Sequence, residues 1–454
     1  MDGQQWAAER DNSPVLKRSI IAGAVGVLVH WFDWAIYAYL ATTIAEVFFP
    51  DQSKAAGLLA VFAVFAVSFA IRPIGALIFG PLGDRIGRRK TLSLVILSMT
   101  GATLLVGLLP GYQSIGILAP ILLVVARLVQ GLAAGGEFGS AASFLAEYSP
   151  SRHRGFGVSW LEVGSLLGFL GASLTIFLLE VTLSADAVAA WGWRIPFLLA
   201  APLGLIGFYI RQKIEDTPDF RILEERGKIA DAPLREVFTG NWRQLLQMAG
   251  VEVLQHVTFY VVLVFLLTYQ TQYLGLSSGG AALVSTVTSL VAVVLVPAFG
   301  ALSDRVGRKP ILLSSSVALL VASYPLFLLM REGGLVGAAV STIGLGVILA
   351  LILATHAVTM AEIFPTRVRQ GGLSIGYNVT AALFAGTVPY LMTFLIDRTG
   401  NLMVPAFYLV LVGVVGLIAT LTLRETVGTP LLTAQDLAAP DPTAEPEPAP
   451  TERA

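Results

Sequence analysis

Apolar residues along this chain gather in long blocks, interrupted by few polar positions and separated by short polar turns. A helix needs roughly 20 apolar residues to cross a hydrocarbon core of ~30 Å. Twelve stretches reach that length, near 18–44, 55–81, 91–110, 115–146, 155–181, 191–211, 243–273, 279–302, 309–330, 335–362, 369–397 and 402–424. No small-residue cleavage site follows the first, and polar residues interrupt it, so it reads as an anchor and not a signal peptide. The pattern predicts an all-α membrane protein. Its parts are a cytoplasmic N-terminal segment (1–17), a six-helix half (18–211), a charged linker (212–242), a second six-helix half (243–424) and a tail (425–454).

Composition narrows the function. Hydrophobic residues make up 55% and charged residues 13%, about half the ~25% charge of a soluble chain. With 29 basic against 30 acidic residues, the basic excess of a nucleic-acid binder is missing. The chain has no cysteine and only four histidines, so a disulfide, a thiolate metal site and a thiol nucleophile are excluded and a zinc centre is unexpected. No metal, no cofactor and no enzymatic activity are expected, and no segment is long enough for a sensor's soluble output domain. The anticipated partners are the lipid bilayer, a small-molecule substrate and protons, with the chain acting as a monomer. Let the helices alternate, and 23 of the 29 basic residues fall on one face, with only Arg72 and Arg127 inside spans. The excess of Lys and Arg marks that face, and both termini, as cytoplasmic.

The chain is duplicated. Phe79-Gly80-Pro81-Leu82-Gly83-Asp84-Arg85-Ile86-Gly87-Arg88-Arg89 returns as Phe299-Gly300-Ala301-Leu302-Ser303-Asp304-Arg305-Val306-Gly307-Arg308-Lys309, each between the second and third helix of its half. Glu147-Tyr148-Ser149-Pro150-Ser151-Arg152-His153-Arg154 is echoed by Glu362-Ile363-Phe364-Pro365-Thr366-Arg367-Val368-Arg369, between the fourth and fifth. Halves repeated in the same orientation place a ligand site between them near the midplane. Gly80 and Gly300 permit close helix approach. The charged members, Asp84, Arg85, Arg88, Asp304, Arg305, Arg308, Glu147, Arg154, Glu362 and Arg369, suit a latch that breaks as the halves rock.

These turns resemble the signature loop of the major facilitator superfamily, and Arg127-Leu128-Val129-Gln130-Gly131 resembles its second motif. Trp31-Phe32-Asp33-Trp34, Ile71-Arg72-Pro73-Ile74-Gly75, Gly135-Gly136-Glu137-Phe138, Trp191-Gly192-Trp193-Arg194-Ile195-Pro196-Phe197 and Glu215-Asp216-Thr217-Pro218 narrow the likeness to the metabolite:proton symporters. Ser159-Trp160-Leu161-Glu162 and Asn401-Leu402-Met403-Val404-Pro405-Ala406 are similar to members that carry zwitterionic osmolytes such as proline and glycine betaine. The resemblance implies proton-driven uptake of a small solute. An organic acid (a dicarboxylate, shikimate-like or aromatic carboxylate) is the alternative cargo. The family has glutamate before the Trp31 position, where this chain has His30.

Charge inside hydrocarbon costs at least ~2.5–3.5 kcal/mol per residue at a helix centre, so each case requires a partner or a purpose. At 1.5 Å rise per residue, Asp33 lies ~22 Å from Arg18 and Arg72 ~18 Å from Asp84, similar depths at which the two can pair. Asp33, His30, Arg127, Glu137 and Glu162 are the proton-coupling candidates, with Glu137 also suited to a hydrogen bond in the glycine seam of Gly131, Gly135 and Gly139. Arg72, Trp34, Tyr37, Trp160, Glu252, Gln255, His256, Tyr260 and Asn378 are the substrate-binding candidates, Trp31 and Phe259 adding aromatic faces. His356 reads as a satisfied interhelical histidine. The Pro- and acid-rich tail cannot bury a core and is expected to be disordered. It lacks the heptads of osmosensing relatives that bear a C-terminal coiled coil.

Overall fold

The computed structural model describes residues 14–86, 88–135, 137–212, 240–364, 366–429 and 431. Within them the side chains at 14–23, 80–92, 137, 140, 144, 148, 185, 210–212, 366–368 and 370 are outside the description. The first half consists of α1 (Pro14–Tyr39, continued by Ala41–Phe48), α2 (Lys54–Ala70 and Arg72–Ile86), α3 (Arg88–Leu108), α4 (Leu118–Ala134 and Glu137–Tyr148), α5 (Arg154–Thr182) and α6 (Arg194–Gln212). The second half repeats the order with α7 (Trp242–Phe259, extended by π turns to Tyr273), α8 (Ser278–Val306), α9 (Arg308–Glu332) and α10 (Gly334–Ile363). It closes with α11 (Thr366–Thr380, then Ala381–Ala385 and Val388–Thr399) and α12 (Val404–Thr422). Among the described residues, nine of these helices are long and apolar enough to span a bilayer, α1 qualifies as a bent pair, and α3 and α4 are shorter apolar helices.

Several spans are broken, where the sequence pattern reads them as continuous. α1 bends by 63° at Leu40. α2 is interrupted at Ile71, just before Pro73, whose missing N–H removes a ladder bond. α4 is interrupted at Gly135, and α7 and α11 widen into π turns at Tyr260–Phe265 and Ala381–Ala385. Breaks of this kind survive in lipid only where protein satisfies the freed backbone groups. The Gly135 carbonyl, for example, accepts a hydrogen bond from Asn378 Nδ2 of α11 at 2.6 Å.

The halves meet along α5 with α8 and along α2 with α11, while α3 with α6 and α9 with α12 form outer pairs. Leu105, Leu108, Leu205 and Ile206 on the first outer pair, and Val321, Leu411 and Ile418 on the second, turn exposed apolar side chains outward, as a lipid-facing surface requires. α7 does the reverse. Its apolar window is 94% buried, against 33% for that of α6, so its polar residues sit inside protein. Close approach depends on glycine: a Cβ on Gly131 would strike the Ser68 carbonyl of α2, and one on Gly135 the Arg72 carbonyl. Gly139, expected in the same seam, instead faces Ser374 of α11 across the halves.

Gly131→Val should therefore force α2 from α4 and cost ~1–3 kcal/mol, the usual range for overpacking. Its melting midpoint in detergent should fall, whereas Gly101→Ala, which meets nothing within 4 Å, should match or exceed the parent.

Candidate functional site

Asp33 of α1 sits 3% exposed inside the first half. Thr103 Oγ1 of α3 donates to its Oδ1 at 2.7 Å, and Gln130 Nε2 of α4 donates to both carboxylate oxygens at 3.0 and 2.9 Å. Arg127, one turn before Gln130, places Nη1 3.8 Å from Oδ2. That is an ion pair without hydrogen-bond contact. The guanidinium lies 3.6 Å above the Tyr37 ring, while Tyr37 donates its hydroxyl to the Val61 carbonyl at 3.1 Å. A cavity of about 10 Å³ opens beside Asp33, lined by His30, Met99, Thr100 and Thr103 among others. That is close to the space one water requires.

The pairing of Asp33 with Arg72 suggested by depth is replaced by the pairing with Arg127. Distance along a helix gives height, not direction around it. Arg72, 2% exposed, instead sets its guanidinium 4.2 Å from the Trp34 ring centre and 3.8 Å from that of Phe69. Trp34 thus has both intramembrane guanidinium groups against it, with Arg127 at 5.6 Å. Around this point Trp31, Phe65, Phe69, Phe169, Phe259 and Tyr260 pack with ring centres 5.0–6.3 Å apart. Trp34 Nε1 and Tyr260 OH are buried there without a hydrogen-bond partner among the described residues. Trp160 is not part of this cluster; its half-buried ring meets Phe156 edge-on at 6.1 Å.

Deeper in the second half, Glu252 of α7 and His356 of α10 are fully buried. His356 Nδ1 lies 3.0 Å from Glu252 Oε1, and its Nε2 lies 3.0 Å from Glu162 Oε1 of α5, in the first half. His256 Nδ1 is 2.8 Å from the Glu252 carbonyl and 3.2 Å from Glu252 Oε2. Phe138 stacks on Tyr377 at 3.9 Å and on His356 at 5.9 Å. The polar stripe of α7 is thus turned inward as its spacing predicts, and Gln255 Oε1 has no hydrogen-bond partner among the described residues. His356 is indeed satisfied between helices, but through carboxylates of both halves. Asn378 donates to the Gly135 and Ser374 carbonyls, fastening α11 to α4.

At the charged face, Arg154 of α5 donates to Glu362 Oε1 of α10 at 2.9 Å. Arg308 bonds Asp304 Oδ1 at 2.8 Å and Glu362 Oε2 at 3.3 Å, while Asp304 accepts from the Gly155 and Phe156 N–H groups. Arg369 reaches Glu147 at 3.5 Å, and Arg305 is exposed. These contacts bring together the charged residues of the second-half repeat. The side chains of its counterparts Gly80, Asp84, Arg85 and Arg88, and that of Glu137, lie outside the described residues. The first residues after α12, assigned to the tail by composition, lie against the latch. Glu425 accepts from the Arg308 and Lys309 N–H groups, Thr426 donates to Glu362 Oε2 at 2.6 Å, and the Thr429 and Leu431 carbonyls accept from Arg154 and Arg369. Burial alone would raise the Glu425 carboxyl, but the backbone N–H groups of Arg308, Val427, Lys309 and Thr426 outweigh it and hold it below the usual carboxylate range. On the opposite face Tyr39 OH meets Ser285 Oγ at 2.8 Å and Gln272 Nε2 donates to Thr42 at 3.3 Å. The halves therefore touch on both sides of the buried polar centre.

Sequence reasoning missed Thr103 and Gln130. Gln130 had a signal, since it falls three residues after Arg127 and so on the same helix face; Thr103 had none, being one hydroxyl among many.

The family model for sugar (and other) transporters matches residues 19–240 and 224–437. A proline/betaine transporter of Escherichia coli K12 is 40% identical over 428 residues, 92% of this chain and 85% of that protein. A glycine betaine/proline/ectoine/pipecolic acid transporter of Dickeya dadantii is 37% identical over 425 residues, again 92% and 85%. The fold is similar to that of a major facilitator superfamily proton:xylose symporter bound to 6-bromo-6-deoxy-D-glucose. That match has a TM-score of 0.77 at 18% identity and covers 92% of this chain and 98% of that one.

Because the chain has no cysteine, Ser159→Cys gives a clean probe of the α5–α8 seam. Glu362→Gln should raise its maleimide labelling rate about tenfold, the effect of ~1.4 kcal/mol lost from the closed face. Glu425 is depressed in the folded state, so its contribution is present above the unfolded carboxylate pKa and is lost as pH falls through the lower folded value. Labelling divided by that of a thiol in the unfolded chain at the same pH, which removes the change in thiolate fraction, should rise on acidification in that window, and Glu425→Gln should remove that rise.

Proposed function

The chain belongs to the sugar (and other) transporter family of the major facilitator superfamily, and from that membership we propose that it couples proton entry to import of a zwitterionic osmolyte. It is a multi-pass membrane carrier, not an enzyme. Proline and glycine betaine are the proposed cargo, as in the printed names of the relatives. The face bearing the latch is taken as cytoplasmic, with both termini on that side, because the basic residues gather there. The six-helix halves 18–211 and 243–424 are the moving bodies, joined by the linker 212–242.

One observation supports the substrate class most directly: Arg72 is a buried guanidinium bordered by Trp34 and Phe69, at the edge of a cluster of aromatic rings. A zwitterion has a carboxylate for the guanidinium and a cationic nitrogen for aromatic faces, worth ~0.5–2 kcal/mol per contact. Glu162 and Glu252 nearby favour a cationic group and oppose a second carboxylate. Among the described residues, Trp34 Nε1, Tyr260 OH and Gln255 Oε1 are buried polar atoms without a hydrogen-bond partner and are proposed to meet the cargo.

For the proton, Asp33 is the proposed carrier and Arg127 its charge partner. Protonation removes the negative charge facing Arg127 while Gln130 and Thr103 keep the carboxyl in place. Arg127 then turns more freely against Tyr37 and Trp34, which links proton binding to the aromatic cluster. Release of the proton on the other side restores the pair and resets the carrier. His30, against Trp31 and Trp34 at 5.4 and 6.1 Å, stands at the same small cavity and is the proposed route of proton exchange. Glu137 is retained as a proton-coupling candidate, and Asn378 and Trp160 as supports of the cavity wall.

Proteoliposomes with an imposed pH gradient should accumulate labelled proline or glycine betaine, and unlabelled betaine should compete where a dicarboxylate or shikimate does not. Asp33→Asn should lower uphill accumulation at least about tenfold while substrate exchange at equal pH persists, the behaviour of a carrier that has lost its driving ion. Uphill uptake by this variant at the parental rate would exclude Asp33 as the carrier.

A further inference from the structure

We propose that Glu162, His356 and Glu252 form a second proton-binding site, built across the two halves, whose proton latches them together at depth. Hydrogen-bond valence at the His356 ring requires that proton. An ionised carboxylate only accepts, and a neutral imidazole offers one N–H and one lone pair. His356 has a carboxylate oxygen 3.0 Å from each ring nitrogen. Both contacts are satisfied only if the ring is an imidazolium, or if the ring is neutral and one carboxyl is protonated. Either way the triad holds one proton beyond a neutral ring and two carboxylates. Remove that proton, and a nitrogen lone pair faces an oxygen lone pair in a place where His356 has 0% exposure.

Which contact then gives way follows from the anchors. Glu252 has a second contact, its Oε2 lying 3.2 Å from His256 Nδ1 while its backbone carbonyl lies 2.8 Å from the same nitrogen, and it is in the same half as His356. Among the described residues, Glu162 has only His356 as its hydrogen-bonding partner. The contact that opens is thus the one that joins the halves. The other ionisable groups around His356 are His256 and Tyr260 of α7 and Tyr377 of α11, with Arg72 of α2 within electrostatic reach of both tyrosines. From α4 the described neighbour is the Phe138 ring.

The same two helices already share a rung at the charged face, Arg154 of α5 with Glu362 of α10. Glu162 lies ~12 Å along α5 from Arg154, and His356 ~9 Å along α10 from Glu362. Two rungs therefore tie α5 to α10, one at the surface and one deep. Separating the halves at the charged face requires both to part, and the deep rung parts when its proton leaves to the opening side. This role rests on the transporter reading, but the contact itself does not.

The test uses the full chain with Ser159→Cys as the probe. Divided at each pH by the rate for a thiol in the unfolded chain, which removes the change in thiolate fraction, maleimide labelling should rise at least about tenfold, equivalent to ~1.4 kcal/mol, as pH is taken from neutral into the alkaline range. Glu162→Gln should abolish that rise, because a glutamine amide donates to the neutral ring without any added proton. Asp33→Asn should keep the rise, since its site is separate. A flat parental profile, or a Glu162→Gln profile matching the parent, would overturn the proposal. If labelling behaves as expected but labelled proline and betaine are not taken up under a pH gradient, the latch stands and the cargo reading fails.

Discussion

A charge removed from water must be met by another charge or by dipoles, and in this protein every buried charge with a described partner is met by a different helix. Asp33 of α1 is held from α3 and α4, and Glu162 of α5 from α10. Breaking such a pair by removing one partner typically costs ~3–5 kcal/mol. The arrangement of the helices is therefore tied to the ionisation state of a few groups. Where partners lie within one half, as with Asp33 and Arg127, that dependence holds the half together. Where they lie in opposite halves, as with Arg154 and Glu362, it joins one half to the other.

Small residues make those pairings reachable. Gly155 of α5 and Gly300 of α8 sit so close that a Cβ on either would crowd the other's carbonyl, at 2.7 and 2.8 Å. Lipid gives helices no hydrophobic reason to associate with each other, so close backbone packing supplies the attraction. The helix breaks cluster at the same places as the chemistry. α2 breaks at Ile71, beside Arg72, α4 at Gly135, and α7 widens at Tyr260. Each break frees backbone groups that only surrounding protein can satisfy, which confines these segments to the interior.

Much of this was legible in the residues. The twelve spans follow from length and apolarity, and the charged cluster of Asp304, Arg308, Glu362 and Arg154 draws on the duplicated turns. The inward stripe of Glu252, Gln255, His256 and Tyr260 follows from helical spacing. What was not legible concerns direction and distance between helices. Asp33 and Arg72 share a depth but not a facing side, and Arg127 took the place of Arg72. Trp160 has the composition of a cage residue yet packs on Phe156. Glu425 to Leu431 follow the last span and look like tail, but backbone N–H groups at the start of α9 offered a carboxylate site that no local pattern announces.

Hydrophobic length and repetition in the residues suffice to show that the chain crosses a membrane many times, that it does so as two related halves, and which few charges lie within the spans. Those are consequences of hydrophobic length, repetition and the cost of burying charge, all of which act locally along the chain. That His356 joins carboxylates of both halves, that Gln130 and Thr103 hold Asp33, and that Arg72 lies on aromatic rings is visible only once the helices are packed. Such choices depend on the rotation of each helix about its axis and on which neighbour it meets. Packing across the whole bundle sets both.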